Sequence, residues 1–275
     1  MRLELRNIEK SFGQKKVLKG VSFRAESGKA FGLLGRNGAG KTTSIRILMD
    51  VFPADRGVVL VDDRNIDYKK VQIGYLPEER GLYPKKIIID QLTYFAELKG
   101  MSHKAAAKSV DYWLERLGMA EYRNKRLDTL SKGNQQKIQL VTALAHDPAI
   151  VILDEPFSGL DPVNAMLLKD VVKEQIAAGK IVLFSSHQMN YIEEFCDSIA
   201  ILNDGRVAIQ GELHEIKRNY VRDRLVVRTE QPDRIQAELG ERCTVMEDEG
   251  LMIQLDSAND KKSMMAHLIE QYDID

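Results

Sequence analysis

The chain has 275 residues, 44% of them hydrophobic, and 40 basic against 41 acidic side chains leave a net charge of −1. Such a balance belongs to an ordinary globular protein and speaks against a nucleic-acid surface or a charged tail. No apolar run approaches the roughly eighteen residues that a bilayer span needs, and Met1-Arg2-Leu3-Glu4 leads into a strand pattern rather than a signal peptide. Cys196 and Cys243, far apart and in unlike contexts, are expected as reduced thiols.

Residues 1–34 are β-rich. Arg2–Ile8 alternates polar and apolar side chains, Val17–Ala25 repeats the alternation after a turn at Gly13-Gln14, and Ala30–Leu34 is a short buried strand. Two readings of Phe12 stand side by side: core packing, and stacking on a purine ring.

The buried strand runs into Gly35-Arg36-Asn37-Gly38-Ala39-Gly40-Lys41-Thr42-Thr43, which fits G-x-x-x-x-G-K-[ST]. Gly35, Gly38 and Gly40 let successive backbone N–H groups point into one concavity that suits a triphosphate. Lys41 reaches the β- and γ-phosphates, the Thr42 hydroxyl sits on Mg²⁺, and a helix expected over Thr43–Met49 aims its positive end at the phosphates.

Strands are expected over Val58–Val61 and Ile73–Leu76, then a loop from Pro77 to Pro84. Residues 87–145 turn helical. One helix ends at Gly100, and another opens at an N-cap Ser102, passes Trp113, a core residue, and stops at Gly118. Leu130-Ser131-Lys132-Gly133-Asn134-Gln135-Gln136-Lys137 lies ahead of a helix expected over Ile138–Ala145, an ordinary cap or an anion site.

Ala149–Leu153 is a strand buried on both faces, ending in Asp154-Glu155-Pro156. Adjacent carboxylates there need cationic company, which a nucleotide-bound Mg²⁺ supplies. Asp154 holds the metal, and Glu155, on the opposite side of the alternation, polarises a water. Ser158–Pro162 is a turn into a helix over about 163–178. Ile181–Phe184 is a buried strand that places Ser185-Ser186-His187 at its C-terminal end, where α/β folds hold ligands. Ile199–Leu202 and Arg206–Gly211 form a hairpin. Beyond residue 221 a β-α-β-β-α pattern carries no catalytic constellation and reads as an accessory domain for regulation or dimer contact.

Taken in order, these residues resemble the nucleotide-binding subunit of ABC transporters. Phe12 stands at that family's adenine-stacking aromatic, Gly35–Thr43 at Walker A, Leu130–Gln136 at the L-S-G-G-Q signature, Ile150–Glu155 at Walker B with its catalytic glutamate, Ser158–Asp161 at the D-loop and His187 at the switch histidine. Two departures stand out. Glu78 replaces the usual glutamine after Tyr-Leu-Pro, adding a charge beside the γ-phosphate while still able to ligate Mg²⁺. In the signature, Lys132 replaces a glycine and Asn134 the glutamine, while Ser131 and Gly133, the γ-phosphate contacts, are kept. The stretch Gly74–Pro84 and the C-terminal domain resemble the exporter branch of sodium and antibiotic efflux.

The resemblance implies an α/β fold: a P-loop NTPase core with an N-terminal antiparallel β-subdomain and a helical subdomain (about 87–145) in residues 1–220, and a small α+β domain in 221–275. It implies ATP and Mg²⁺ as ligands, and a head-to-tail homodimer or heterodimer with a second ATP-binding subunit that closes on ATP. It also implies a transmembrane permease on a separate chain, and a cytoplasmic location peripheral to the membrane's inner face. Leu82-Tyr83-Pro84 is the expected permease contact. A soluble ABC-type ATPase acting on nucleic acid or ribosomes is the competing class. Neither a long coiled coil between the Walker motifs nor a second ATPase half is present to support it.

Overall fold

The computed structural model describes residues 1–79, 81–158, 160–186, 189–219, 224–229, 231–246, 250–256, 260–272 and 274. The chain divides into two units, Met1–His214 and Glu215–Asp275.

In the first unit, β1 (Arg2–Phe12) pairs antiparallel with β2 (Lys15–Glu26) and with β4 (Arg56–Val61), which pairs with the short β5 (Arg64–Asn65). The sheet order is β2-β1-β4-β5. The alternation read from the sequence holds over the first residues of β1, where Leu3, Leu5 and Ile8 are buried. Their register shifts after Leu5 because Asn7 takes a left-handed φ of 52°, which lets the strand continue as far as Phe12.

A second sheet holds β3 (Ala30–Gly35), β6 (Ile73–Leu76), β7 (Ile150–Asp154), β8 (Ile181–Ser186), β9 (Ser198–Asn203) and β10 (Arg206–Glu212), in the order β10-β9-β3-β8-β7-β6. All its pairings are parallel except the β9–β10 hairpin. β7 and β8 are buried at every residue, as their unbroken apolar runs require. Leu3, Leu5, Leu18 and Phe23 of the antiparallel sheet share one core with Leu33, Ile152 and Leu183 of the parallel one. The two sheets are tied by Lys19 N donating to Gly205 O at 2.8 Å.

The helices are α1 (Lys41–Leu48), α2 (Ile88–Leu98), α3 (His103–Arg116), α4 (Lys132–Leu144), α5 (Pro162–Ala177), α6 (Met189–Phe195) and α7 (Leu213–Asn219). Ser102 caps α3 by accepting from Ala105 N, and Trp113 is buried. Two helices start earlier than the apolar periodicity indicated. α1 begins at Lys41 rather than Thr43, and α4 at Lys132 rather than Ile138, so Gly133 and Asn134 lie inside a helix and not ahead of it. The polar first turn of α4 carries no apolar stripe, and only its cap, Ser131, marks the start. The short helices α6 and α7 and the strand β5 had no counterpart in the sequence pattern.

The second unit contains β11 (Arg224–Arg228), α8 (Pro232–Leu239), β12 (Cys243–Val245), β13 (Gly250–Gln254) and α9 (Asp260–Gln271). Its sheet runs β11-β13-β12 with both pairings antiparallel, so β13 splits a β-α-β unit. Val227, Ile235, Cys243, Leu251, Ile253 and Leu268 form a separate small core. Both cysteines are buried and free.

Candidate functional site: a cavity at the carboxyl edge of the parallel sheet

Strand register assembles the site. Leu34 of β3 lies opposite Ser186 of β8, and Ser185 opposite Asp154 of β7. The loop after Gly35, the carboxylates at the end of β7 and the serines at the end of β8 therefore share the carboxyl edge of the sheet, where open α/β sheets bind ligands.

The loop is built around close approaches. A Cβ on Gly35 (φ +148°) would lie 2.5 Å from Leu202 O, and one on Gly40 (φ +111°) 2.5 Å from Leu18 Cδ2. Gly40 caps α1 without a side-chain hydrogen bond. The first N–H groups of α1 thus keep their positive ends for a ligand. Lys41 is 8% exposed, and its ammonium donates to Gly35 O at 2.6 Å and Arg36 O at 3.3 Å.

A cavity of about 430 Å³ opens over this loop and is lined by Asn37, Gly38, Gly40, Lys41, Thr42, Thr43, Glu78, Asp154 and Glu155. Lys15, Lys16, Val17, Asp204 and Gly205 complete the lining. Sequence reasoning missed these five, because only the antiparallel pairing and the β9–β10 turn bring them here. Gly35 and Ala39 shape the loop from behind.

Asp154 and Glu155 both face this space, so strand alternation does not part them. β7 ends at Asp154, and Glu155 takes a left-handed φ of 48°. Its carboxylate accepts from the Ser186 hydroxyl at 2.9 Å. Burial raises the Asp154 pKa from the ordinary carboxylate value, and the Tyr75 hydroxyl, donating to Asp154 Oδ2 at 3.3 Å, opposes the shift. Burial and the neighbouring Asp154 in turn push the Tyr75 phenol up. Tyr75 had no assigned role in the sequence, where it reads as one residue of a strand.

Phe12 is not a core residue. It is 49% exposed at the end of β1, opposite Lys15, and meets Phe52 edge-on with ring centroids 5.5 Å apart. Lys10 Nζ lies over the ring at 5.8 Å from its centroid, and Lys15, opposite Phe12 in register, lines the cavity. Ser131 and Gly133 do not line the cavity. The Ser131 hydroxyl caps α4 by accepting from Asn134 N at 3.4 Å. His187 lies outside the described residues.

The oxygen donors Thr42, Asp154 and Glu78 suit a hard divalent cation. Among the described residues no group of three or more His, Cys, Asp or Glu is arranged to hold an ion by itself. This donor set fits Mg²⁺, which takes one or two carboxylates and completes its shell with water and phosphate.

The sequence profile of the ABC transporter family matches residues 18–158. The ABC transporter ATP-binding protein YhaQ of Bacillus subtilis is 45% identical over 229 residues, covering 83% of this chain and 77% of YhaQ. The chain belongs to the ABC transporter ATP-binding family. The Nod factor export ATP-binding protein I of Burkholderia lata is 32% identical over 218 residues, covering 78% of this chain and 72% of that protein. A solved ATP-binding subunit of an ABC transporter superposes with a TM-score of 0.73 at 30% identity, over 80% of this chain and 93% of that one. As a member, this ABC subunit binds and hydrolyses ATP, and no helix among its described residues is long and apolar enough to cross a membrane.

Proposed function

We propose that this subunit powers an ABC exporter through ATP-driven closure of a two-subunit sandwich. The observation that carries the reading is the single cavity where Lys41, Thr42, Asp154 and Glu155 face one another over the phosphate loop. In this reading the loop N–H groups and Lys41 hold the β- and γ-phosphates. Thr42, Asp154 and Glu78 hold Mg²⁺, whose role is to neutralise phosphate charge. Phe12 stacks on adenine. Glu155 draws the proton of the attacking water, and His187 senses the γ-phosphate. Ser131 and Gly133, which do not line the subunit's own cavity, serve the nucleotide of a second subunit, identical or not. Closure then persists while ATP does.

The export direction is supported by the likeness to a Nod factor export protein. The substrate path lies in a separate transmembrane permease, against whose cytoplasmic side this subunit docks. Tyr83 is 55% exposed and stacks on Phe95 of α2 at 6.1 Å. A cavity of about 560 Å³ beside it is lined by Leu82, Phe95 and Leu98 among others. We assign the permease contact to this surface, and regulation or dimer contact to the accessory domain 221–275.

The test is Glu155→Gln. ATP binding should persist, turnover should fall by about 10²–10⁴, and an ATP-bound dimer should accumulate in light scattering. Unchanged turnover removes Glu155 from the base role. Charge substitutions at Leu82 and Tyr83 should abolish complex formation with the permease, and wild-type assembly would refute the contact.

A further inference from the structure

We infer that this subunit takes its nucleotide only as the divalent-metal complex, and that Glu78 imposes the restriction. The inference rests on the nucleotide reading of the 430 Å³ cavity and deepens it.

The charge inventory of the cavity is the starting point. Four carboxylates line it, Glu78, Asp154, Glu155 and Asp204, against the three ammonium groups of Lys15, Lys16 and Lys41. The cations are partly spoken for. Lys16 is ion-paired to Glu9 at 3.0 Å, outside the lining, and Lys41 is turned onto Gly35 O. On the acidic side, Asp204 is paired with Lys19 at 2.6 Å. Glu78 differs from the others. It is exposed, and among the described residues its carboxylate has no hydrogen-bond or ion-pair partner.

A free triphosphate entering this cavity meets an excess of like charge. The loop N–H groups and Lys41 attract it, but an uncompensated carboxylate lining the same cavity opposes them. A divalent cation between phosphate and carboxylate reverses the sign of that interaction and turns Glu78 from repulsive to attractive. The cation does not wait in the empty site, because no cluster of three or more acidic, histidine or cysteine side chains among the described residues is arranged to hold it. Metal and nucleotide must therefore arrive together. A glutamine at this position would carry no charge, and the loop alone would then hold the free nucleotide.

The experiment is isothermal titration of the full-length protein with a non-hydrolysable ATP analogue, in Mg²⁺ and in EDTA, for wild type and Glu78→Gln. Wild type should bind in Mg²⁺ and lose at least about thirtyfold in affinity in EDTA. Glu78→Gln should bind in EDTA within about threefold of its Mg²⁺ affinity. Wild-type binding of similar strength in both conditions would overturn the inference while leaving the nucleotide site intact. An unrelieved EDTA deficit in Glu78→Gln would overturn the assignment to Glu78. No binding by wild type in Mg²⁺ would overturn the nucleotide reading and the inference together.

Discussion

The Ser186 hydroxyl at the end of β8 donates to the Glu155 carboxylate just beyond the end of β7, at 2.9 Å. Glu155 holds a left-handed backbone conformation that an L-residue adopts at a cost of about 1 kcal/mol. The hydrogen bond fixes where that strained residue sends its carboxylate. Ser186→Ala should lower ATP turnover about tenfold, the worth of one hydrogen bond to a charged group, and leave the KM for ATP within about twofold. Ser186→Thr should restore turnover. Steady-state kinetics of the three proteins decide it, and a fully active alanine variant would show that the bond orients nothing of consequence.

Gly74 lies where β6 passes under α4. A Cβ built there falls 2.0 Å from Ala143 O and 2.8 Å from Pro148 Cγ. Backbone cannot yield as a flexible side chain does, so Gly74→Ala should destabilise the first unit by about 3 kcal/mol. Thermal unfolding should then show a midpoint roughly 6–12 °C lower. An unshifted midpoint would mean that β6 and α4 can part without cost.

His146 is 8% exposed, with Nε2 placed 3.3 Å from Ile73 O. Burial pushes its pKa down from 6.5 to about 4. The unfolded chain takes up a proton near pH 6.5, and the folded chain resists until about 4. Stability is therefore full above 6.5 and is lost as pH falls from 6.5 towards 4. At about pH 5 the loss from this group is about 2 kcal/mol. Denaturant unfolding near neutrality and near pH 5 should show a smaller loss for His146→Gln than for wild type. Equal losses would assign the acid sensitivity to carboxylates alone.

Ile253 is fully buried in the second unit, in register between Leu225 and Cys243. Ile253→Ala should cost about 3 kcal/mol. In so small a core that is a large share of the stability. Hydrogen exchange should accelerate across β11–β13 while β3, β7 and β8 stay protected. Equal acceleration in both sets would mean that the two units unfold as one.

What the sequence disclosed followed from patterns with a physical basis. The apolar run of β7 and its acidic end, and the glycine-lysine loop after β3, could be placed because burial on both faces and phosphate geometry each restrict residue choice. Glu155 shows the limit. Its direction is set by a positive φ at a strand end, which no alternation rule contains. Phe12 could not be assigned to core or surface, because three register shifts break the alternation between Leu5 and the end of β1. The start of α4 was hidden by its polar first turn, and α6 was too short to show a period, although Ile192 and Phe195 are buried.

At the start of α4, a Cβ on Gly133 would lie 3.0 Å from Asn164 Nδ2, and Gln136 Nε2 donates to Pro156 O at 2.6 Å. Asn164 is in the first turn of α5, whose cap, Asp161, accepts from Asn164 N at 3.0 Å. The beginnings of the two helices thus abut like the faces of a mitred corner. A swing of α4 therefore pulls directly on Pro156 and bears directly on Asn164. A torque applied to α4 is thus delivered through one hydrogen bond to Pro156, the residue directly after Asp154 and Glu155.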